Sequence, residues 1–533
     1  MSHRVFLGID IGSASVRAGL FDASGRRLGF AAKAIKQFHP KPLFVEQSST
    51  DIWARTCEAV REALAVAAID PARVASIGVD ATCSLVAVGP EGQPLSVAEL
   101  DESEGEAERD IIMWMDHRAG EQAAAINATH DAALAYVGGE VGIEMELPKV
   151  LWLKQTFPER YAAAWRFFDL ADYLVWRLSG ADVASVCTLT CKWNYLAHEK
   201  RFSETLLAAV GLSDITGKLP RQVLPLGSAA GKLLPGIASE LDLPPGAVVA
   251  TGIIDAHAGG LALVGAQPQG SLAIIGGTSN CHMVVNPEPI MVPGVWGPYY
   301  GAMLPGWWLG EGGQSAAGAL LDWSLRQSDA WPLLESVARA GGRTVYAVLN
   351  DWLADLESRE RWPARDLHVL ADHHGNRSPR ANPHARGAVV GLTLEQGKDA
   401  LARAYLATLQ ALAYGTRHII ESMNAAGHRI ERIVMCGGGT KNPYWLRENA
   451  DATGCEIHLA EEEDAVALGA ALLGSVACGA FPTLPEAAAA LVRSGGSVKA
   501  RPETKAFHDA KYAVYLQLYE DMERCRNAMR AWQ

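Results

Sequence analysis

The chain has 533 residues, more than one hydrophobic core organises, so at least two domains of a few hundred residues each are expected. Its formal net charge of −13 argues against a nucleic-acid surface or a polybasic membrane patch, since both rest on attracting phosphate. No apolar run of about 18 residues occurs, and "MSHR" leads into a strand pattern without a signal-peptide core, so the expected location is cytoplasmic.

The first element is "GIDIGSASVRAGLFD", Gly8 to Asp22, which reads as strand, small polar turn and alternating strand. A strand that only filled a core would have no use for Asp10 at the hairpin mouth. The segment "IKQFHPKPLFVEQSS" reads as a loop, and "STDIWARTCEAVREALAVAA" as an amphipathic helix capped by Ser or Thr, with Asp in its first turn. A buried strand, "VASIGVDATCS", then ends at a second acid, Asp80. The stretch "ELDESEGEAERD" reads as a solvated loop, and helical patterns dominate from about Gly120 to Leu178.

Of nine cysteines, only Cys187 and Cys191 are closely spaced. Without two further ligands beside them in sequence, they read as small core residues rather than a zinc site. Further on, "VVATGIIDAHAGGLALVG" places Asp255 at the start of a Gly/Ala-rich helix. A carboxylate there can cap the helix or accept a proton from a bound hydroxyl, and the two roles are compatible.

Beyond Gly265 to Gly270 the opening pattern returns. "SLAIIGGTSNCHMVV" is again a hairpin, "QGKDALARAYLATLQALAYGTRHIIESMNAA" a long helix, and "IERIVMCGGGTKN" a strand running into a glycine turn. The last helix spans roughly Lys505 to Trp532. The repeat predicts two duplicated α/β domains with mixed sheets, residues 1–267 and 268–533, facing each other across a cleft.

Phosphate binding needs backbone N–H groups that can be approached closely, together with hydroxyl donors. "DIGSAS", "GGTSN" and "CGGGTKN" each supply this. Any one alone is an ordinary tight turn; three, each directly after a strand and at matching places, point to a nucleotide. A P-loop is excluded, because "GLSDITGKL" fails in spacing and in its last residue. Asp10, beside the first turn, is placed to hold Mg²⁺ directly or through water, or else to close an Asx turn. Asp80 would project into the same cleft or cap the turn that follows it.

Two such domains resemble the ribonuclease H-like architecture of the actin, hexokinase and sugar-kinase ATPases. "GIDIGS", "VDAT", "LPKVLWLK", "GIIDAHAGG", "IGGTSN", "GAVVGLT" and "CGGGTKN", in this order over nearly the whole chain, resemble the FGGY family of carbohydrate kinases. "MWMDHRA", "FFDLADYLVWRLSG", "CTLTCKWNYL" and "GEGGQSAAGALLDW" look most like its ribulokinase branch, nearest to kinases of D-ribulose.

The resemblance implies that Asp255 is the general base and Asp10 the metal-side acid. Gly12 and Ser13 would face the γ-phosphate, Gly277, Thr278 and Ser279 the β- and γ-phosphates, and Gly437, Gly438, Gly439 and Asn442 the α-phosphate and adenosine. Asp80, Ala81, Lys192 and Glu311 would line the sugar pocket. On bland readings Lys192 is a surface lysine and Glu311 an acid at a helix N-terminus. Ser13 stands where the family usually has threonine, which keeps the hydroxyl. Glycerol kinases carry an Arg-Glu pair after the acid matching Asp80, and "ATCSLV" here argues against glycerol.

The implied reaction uses ATP and Mg²⁺ to convert D-ribulose to D-ribulose 5-phosphate, with L-ribulose, ribitol and D-xylulose as alternative acceptors. The partner is a small sugar or polyol, with no nucleic acid and no membrane, and a homodimer is the assembly to expect. An actin- or chaperone-like conformational ATPase would share the frame, but the chain lacks an appended β-rich substrate domain.

Overall fold

The computed structural model describes residues 4–99 and 108–532; the middle of the acidic stretch read above as a solvated loop lies outside the described residues. Strand Val5–Ile11 is buried along its whole length, as suits a central strand that is apolar but for Asp10. It pairs antiparallel with Ser15–Asp22 and parallel with Val74–Ala81. Across this sheet the order is Arg27–Ala34, Ser15–Asp22, Val5–Ile11, Val74–Ala81, Val248–Ala250 and Ala229–Lys232, with Ile253–Ile254 also joined to Val74–Ala81. Helix Ser49–Ala67 packs on the strands of the hairpin, burying Ile52, Trp53, Val60 and Leu64. Ser48 caps it by accepting the N–H of Asp51.

The second half repeats this plan. Its sheet runs Trp296–Tyr300, Trp308–Gln314, Asn280–Asn286, Ser271–Gly276, Arg432–Gly437, Glu456–Ala460 and Ser494–Val498. Ser271–Gly276 holds the central place, antiparallel to Asn280–Asn286 and parallel to Arg432–Gly437. The predicted long helix is Lys398–Ala425, and the last one runs Lys505–Met529.

Two helices join the halves: Asp255–Val264, which follows the first sheet, and Ala465–Ala477, which follows strand Glu456–Ala460 of the second. They pack on each other, and the second also lies on Val5–Ile11 and Val74–Ala81. The approach is backbone to backbone. A Cβ on Gly8 would sit 1.9 Å from the Ala467 carbonyl oxygen, one on Gly78 1.7 Å from that of Ala470, and one on Gly469 2.0 Å from that of Ala258.

One prediction fails locally. "RFFD", which falls inside the stretch read as helical, is strand Arg166–Asp169, antiparallel to Leu85–Val88 in a smaller sheet with Glu46–Gln47 and Ile111–Ile112. Four residues are too few to show a period, and the aromatic pair suits a strand paired in the core. Among the described residues no helix is long and apolar enough to cross a membrane.

Candidate active site

The sheet register gathers the acids. Asp10 lies beside Asp80 in the parallel pair and opposite Arg17 in the antiparallel one. Ile253 is in register with Asp80, which puts Asp255 at the same sheet edge. Arg17 Nη1 donates to Asp10 Oδ2 at 3.0 Å and stands 3.9 Å from Asp464 of the second half. Asp255 is the first residue of its helix rather than the cap, a place taken by Ile254; its Oδ1 accepts the Ala256 N–H at 2.7 Å. Asp80 caps nothing: both its carboxylate oxygens are buried without a hydrogen-bond partner among the described residues.

Burial pushes the Asp10 carboxyl up to about 7 despite the pull of Arg17. Asp80 is raised well above the usual carboxylate value, by burial and then by the negative charges of Asp10 and Asp255. Asp255 is raised by burial. Asp10, Asp464 and Asp80 face the one Arg17 guanidinium, with Asp255 beside them, and this oxygen-rich site short of positive charge fits a hard divalent cation.

The first glycine turn is closed by the Gly12 N–H donating to the Ser15 carbonyl. Ser13 Oγ accepts Trp114 Nε1–H at 2.9 Å, which leaves its own proton free to donate, while Gln37 and Gln47 hold its carbonyl. The second turn, Gly277 to Ser279, is pinned to the start of helix Gly318–Arg326, because Thr278 and Gly277 accept the N–H groups of Ala317 and Gly318. Gly437 pairs with Gly276, so the turn holding Gly438 and Gly439 follows at the neighbouring strand end. Gly437 has φ +97°, and a Cβ there would lie 2.1 Å from the Gly276 carbonyl oxygen.

Between these walls lies a cavity of about 420 Å³, lined among others by Asp10, Ser13, Lys192, Asp255, Thr278 and Glu311. That is room for a small ligand. Lys192 is no surface lysine: it is buried at the end of helix Val186–Lys192, its ammonium 5.4 Å from the Trp296 ring centroid. Glu311 is not at a helix N-terminus. It sits inside strand Trp308–Gln314, and His257 Nε2–H donates to its Oε2 at 3.2 Å. Burial works against the Glu311 carboxylate, but the His257 hydrogen bond and charge, then Lys192, bring it down to about 2. Burial also opposes the Lys192 ammonium, but the negative charge of Glu311 beside it holds it well above the usual lysine value.

Of the expected residues, Asp80, Ala81, Gly437, Gly438, Gly439 and Asn442 lie outside the cavity lining. Ala81 is buried in its strand. Asn442 is fully engaged, accepting the Tyr444 N–H as a helix cap and donating to Tyr405 Oη at 2.6 Å. Conversely, the cavity contains Trp114, Glu144, Trp296 and Arg377, none singled out from sequence. Arg377 comes from the second half and stands 3.5 Å from Glu144 of the first. No spacing links them. Arg17 did leave a trace, as a charge within an otherwise apolar strand, "SVRAGLF".

The N-terminal domain model of the FGGY family of carbohydrate kinases matches residues 5–262, and the C-terminal domain model matches residues 272–478. The FGGY carbohydrate kinase domain-containing protein of Homo sapiens is 44% identical over 538 residues, covering 97% of this chain and 96% of the relative. A D-ribulokinase of Saccharomyces cerevisiae is 34% identical over 559 residues, covering 97% of this chain and 77% of that one. The crystal structure of xylulose kinase from Rhodospirillum rubrum superposes with a TM-score of 0.82 at 23% identity, covering 98% of this chain and 99% of that one, which establishes the two-domain fold. With both domain models matched in order, and with acids and glycine turns meeting at one cavity, the chain belongs to the FGGY family of carbohydrate kinases and is a ribulokinase-like member of it.

Proposed function

We propose that this carbohydrate kinase transfers the γ-phosphoryl group of ATP to D-ribulose, giving D-ribulose 5-phosphate and ADP. The observation that carries the reading is a single cavity in which Asp255 stands between two glycine- and hydroxyl-bearing turns and the Lys192–Glu311 wall. The choice of sugar is supported by the likeness to the yeast D-ribulokinase.

In this reading residues 1–267 supply the base and, together with Glu311 of the second half, hold the sugar, and residues 268–533 bring the nucleotide. The ionised Glu311 accepts a sugar hydroxyl, and Lys192 donates to another oxygen of the sugar. Asp255 takes the proton of the attacking hydroxyl as its oxygen bonds to the γ-phosphorus and the bond from that phosphorus to the β,γ-bridging oxygen breaks. Its raised pKa makes it a stronger base than a free carboxylate. Ser13 and the backbone of the turns through Gly277 and Gly437 donate to phosphate oxygens, so the protein mainly positions and neutralises. Asp10 and Asp80 would hold Mg²⁺, which when bound offsets the charge building on the phosphates. Closure around the sugar excludes water that would otherwise be the acceptor.

The test is ADP release over D-ribulose, L-ribulose, ribitol, D-xylulose and glycerol. D-ribulose is expected to give the highest kcat/KM. A higher value for another acceptor overturns the substrate, and turnover that ignores every sugar overturns the kinase chemistry in favour of a conformational ATPase.

A further inference from the structure

Cys187 and Cys191 sit one turn apart on helix Val186–Lys192, and His257 lies in the first turn of helix Asp255–Val264. The fold brings them together across a gap of 70 residues. Cys187 Sγ is 3.2 Å and Cys191 Sγ 4.0 Å from His257 Nδ1, and the three atoms all lie within 4.8 Å of one another. All three side chains are buried. Ligands bound to one ion at zinc–sulfur and zinc–nitrogen distances stand about 3.5–3.8 Å apart in a tetrahedral arrangement. The two measured separations bracket that range.

The other face of the imidazole supplies a second, independent observation. Its Nε2–H is held by Glu311 Oε2 at 3.2 Å, the carboxylate–histidine pairing that orients the ring and turns Nδ1 towards the two thiols, where an ion would displace the Nδ1 and thiol protons.

We propose that Cys187, Cys191 and His257 form a binding site for a soft divalent metal ion of the zinc type, separate from the oxygen site at Asp10 and Asp80. Two thiolates and a neutral imidazole balance a divalent charge, so the loaded centre is neutral, which suits its burial. Sulfur and imidazole donors prefer zinc to magnesium. The ion would tie the helix that ends in Lys192 to the helix that begins with Asp255. It is a positioning element for both and touches no substrate.

The test needs no assumption about the acceptor sugar. The full chain, expressed with zinc in the medium and purified under reductant without chelator, is analysed for metal by mass spectrometry. About one zinc per chain is expected, unaffected by excess Mg²⁺. Replacement of the ion by Co²⁺ should give the intense near-ultraviolet thiolate-to-cobalt absorption. Cys187→Ser, Cys191→Ser and His257→Gln should each empty the site, and Glu311→Gln should weaken affinity about 10- to 100-fold through the lost hydrogen bond. If a variant fails to fold, the Co²⁺ spectrum of the unaltered chain decides alone. A folded chain that contains no zinc and gives no cobalt–thiolate band overturns the site, as does a Cys187–Cys191 disulfide in the reduced preparation. Neither result bears on kinase activity, so failure of this site is distinguishable from failure of the proposed reaction.

Discussion

The two halves place different chemistry at the same point of the same sheet. In the first, the central strand carries Asp10, flanked by Asp80 on the parallel neighbour and Arg17 on the antiparallel one. In the second, where Gly277 answers to Gly12, the matching places hold Ile275, Cys436 and Cys281, and the strand then ends on Gly276 beside Gly437. One mouth is charged, and the other is nearly bare backbone. In the proposed reaction the difference suits what each would meet: a cation and a hydroxyl proton require carboxylates, whereas phosphate oxygens require N–H groups that nothing shields.

The sharpest way to break this comparison is at Asp255. Asp255→Asn keeps the contact with the Ala256 N–H but cannot accept a proton, so kcat should fall about 10²–10⁴-fold while sugar affinity and melting temperature persist. Sugar-dependent ADP release and thermal melting on one preparation decide it. A stable, fully active variant removes the base.

On the glycine side, Gly437→Ala forces a side chain into a backbone region reserved for glycine, against the Gly276 carbonyl. The expected cost is about 1–3 kcal/mol of stability, seen by denaturant titration. KM for ATP should rise more than KM for the sugar, and an equal rise in both would detach this turn from the nucleotide.

Lys192→Ala addresses selectivity. Leaving a sugar oxygen unpaired costs about 1–3 kcal/mol, so kcat/KM should drop unequally across the acceptor panel. A uniform drop would assign Lys192 to folding or to phosphate.

The smallest effect is on stability as a function of pH. Asp10 holds its proton up to about 7 in the folded chain against 3.8 for a free side chain, so without metal its contribution is present below that lower value and is lost as pH rises through 7. In chelator, the melting temperature should fall by a few degrees over this window, and less so in Asp10→Asn. Saturating Mg²⁺ should flatten the unmodified protein's curve. A fall identical in both proteins would count against Asp10 as its source.

The hairpins, their turns and the repeat were legible because strand alternation and Gly/Ser/Thr clusters are local signals, readable over a few residues. Asp10 and Asp255 stood out for the same reason, each being an acid that interrupts an apolar run. What escaped depends on contacts far apart in sequence. His257 with Glu311, Arg377 with Glu144, and the two cysteines with His257 are pairs that no spacing announces. Asn442 is ambiguous in the sequence because a polar residue after a glycine turn serves a phosphate or a helix end equally well; in the structure it caps helix Pro443–Thr453. Strand Arg166–Asp169 was too short to display any period.

The joint at the cavity floor limits how the halves can move. Helix Ala465–Ala477 rests its carbonyls on Gly8 and Gly78 with no side chain between, and Gly469 meets the Ala258 carbonyl in the same way. A slide of even one residue, about 1.5 Å along the helix axis, would drive a neighbouring side chain into a place with room only for hydrogen. Shear is therefore blocked, and the permitted motion is a pivot in which the glycine contacts act as a fulcrum and the two walls swing as jaws.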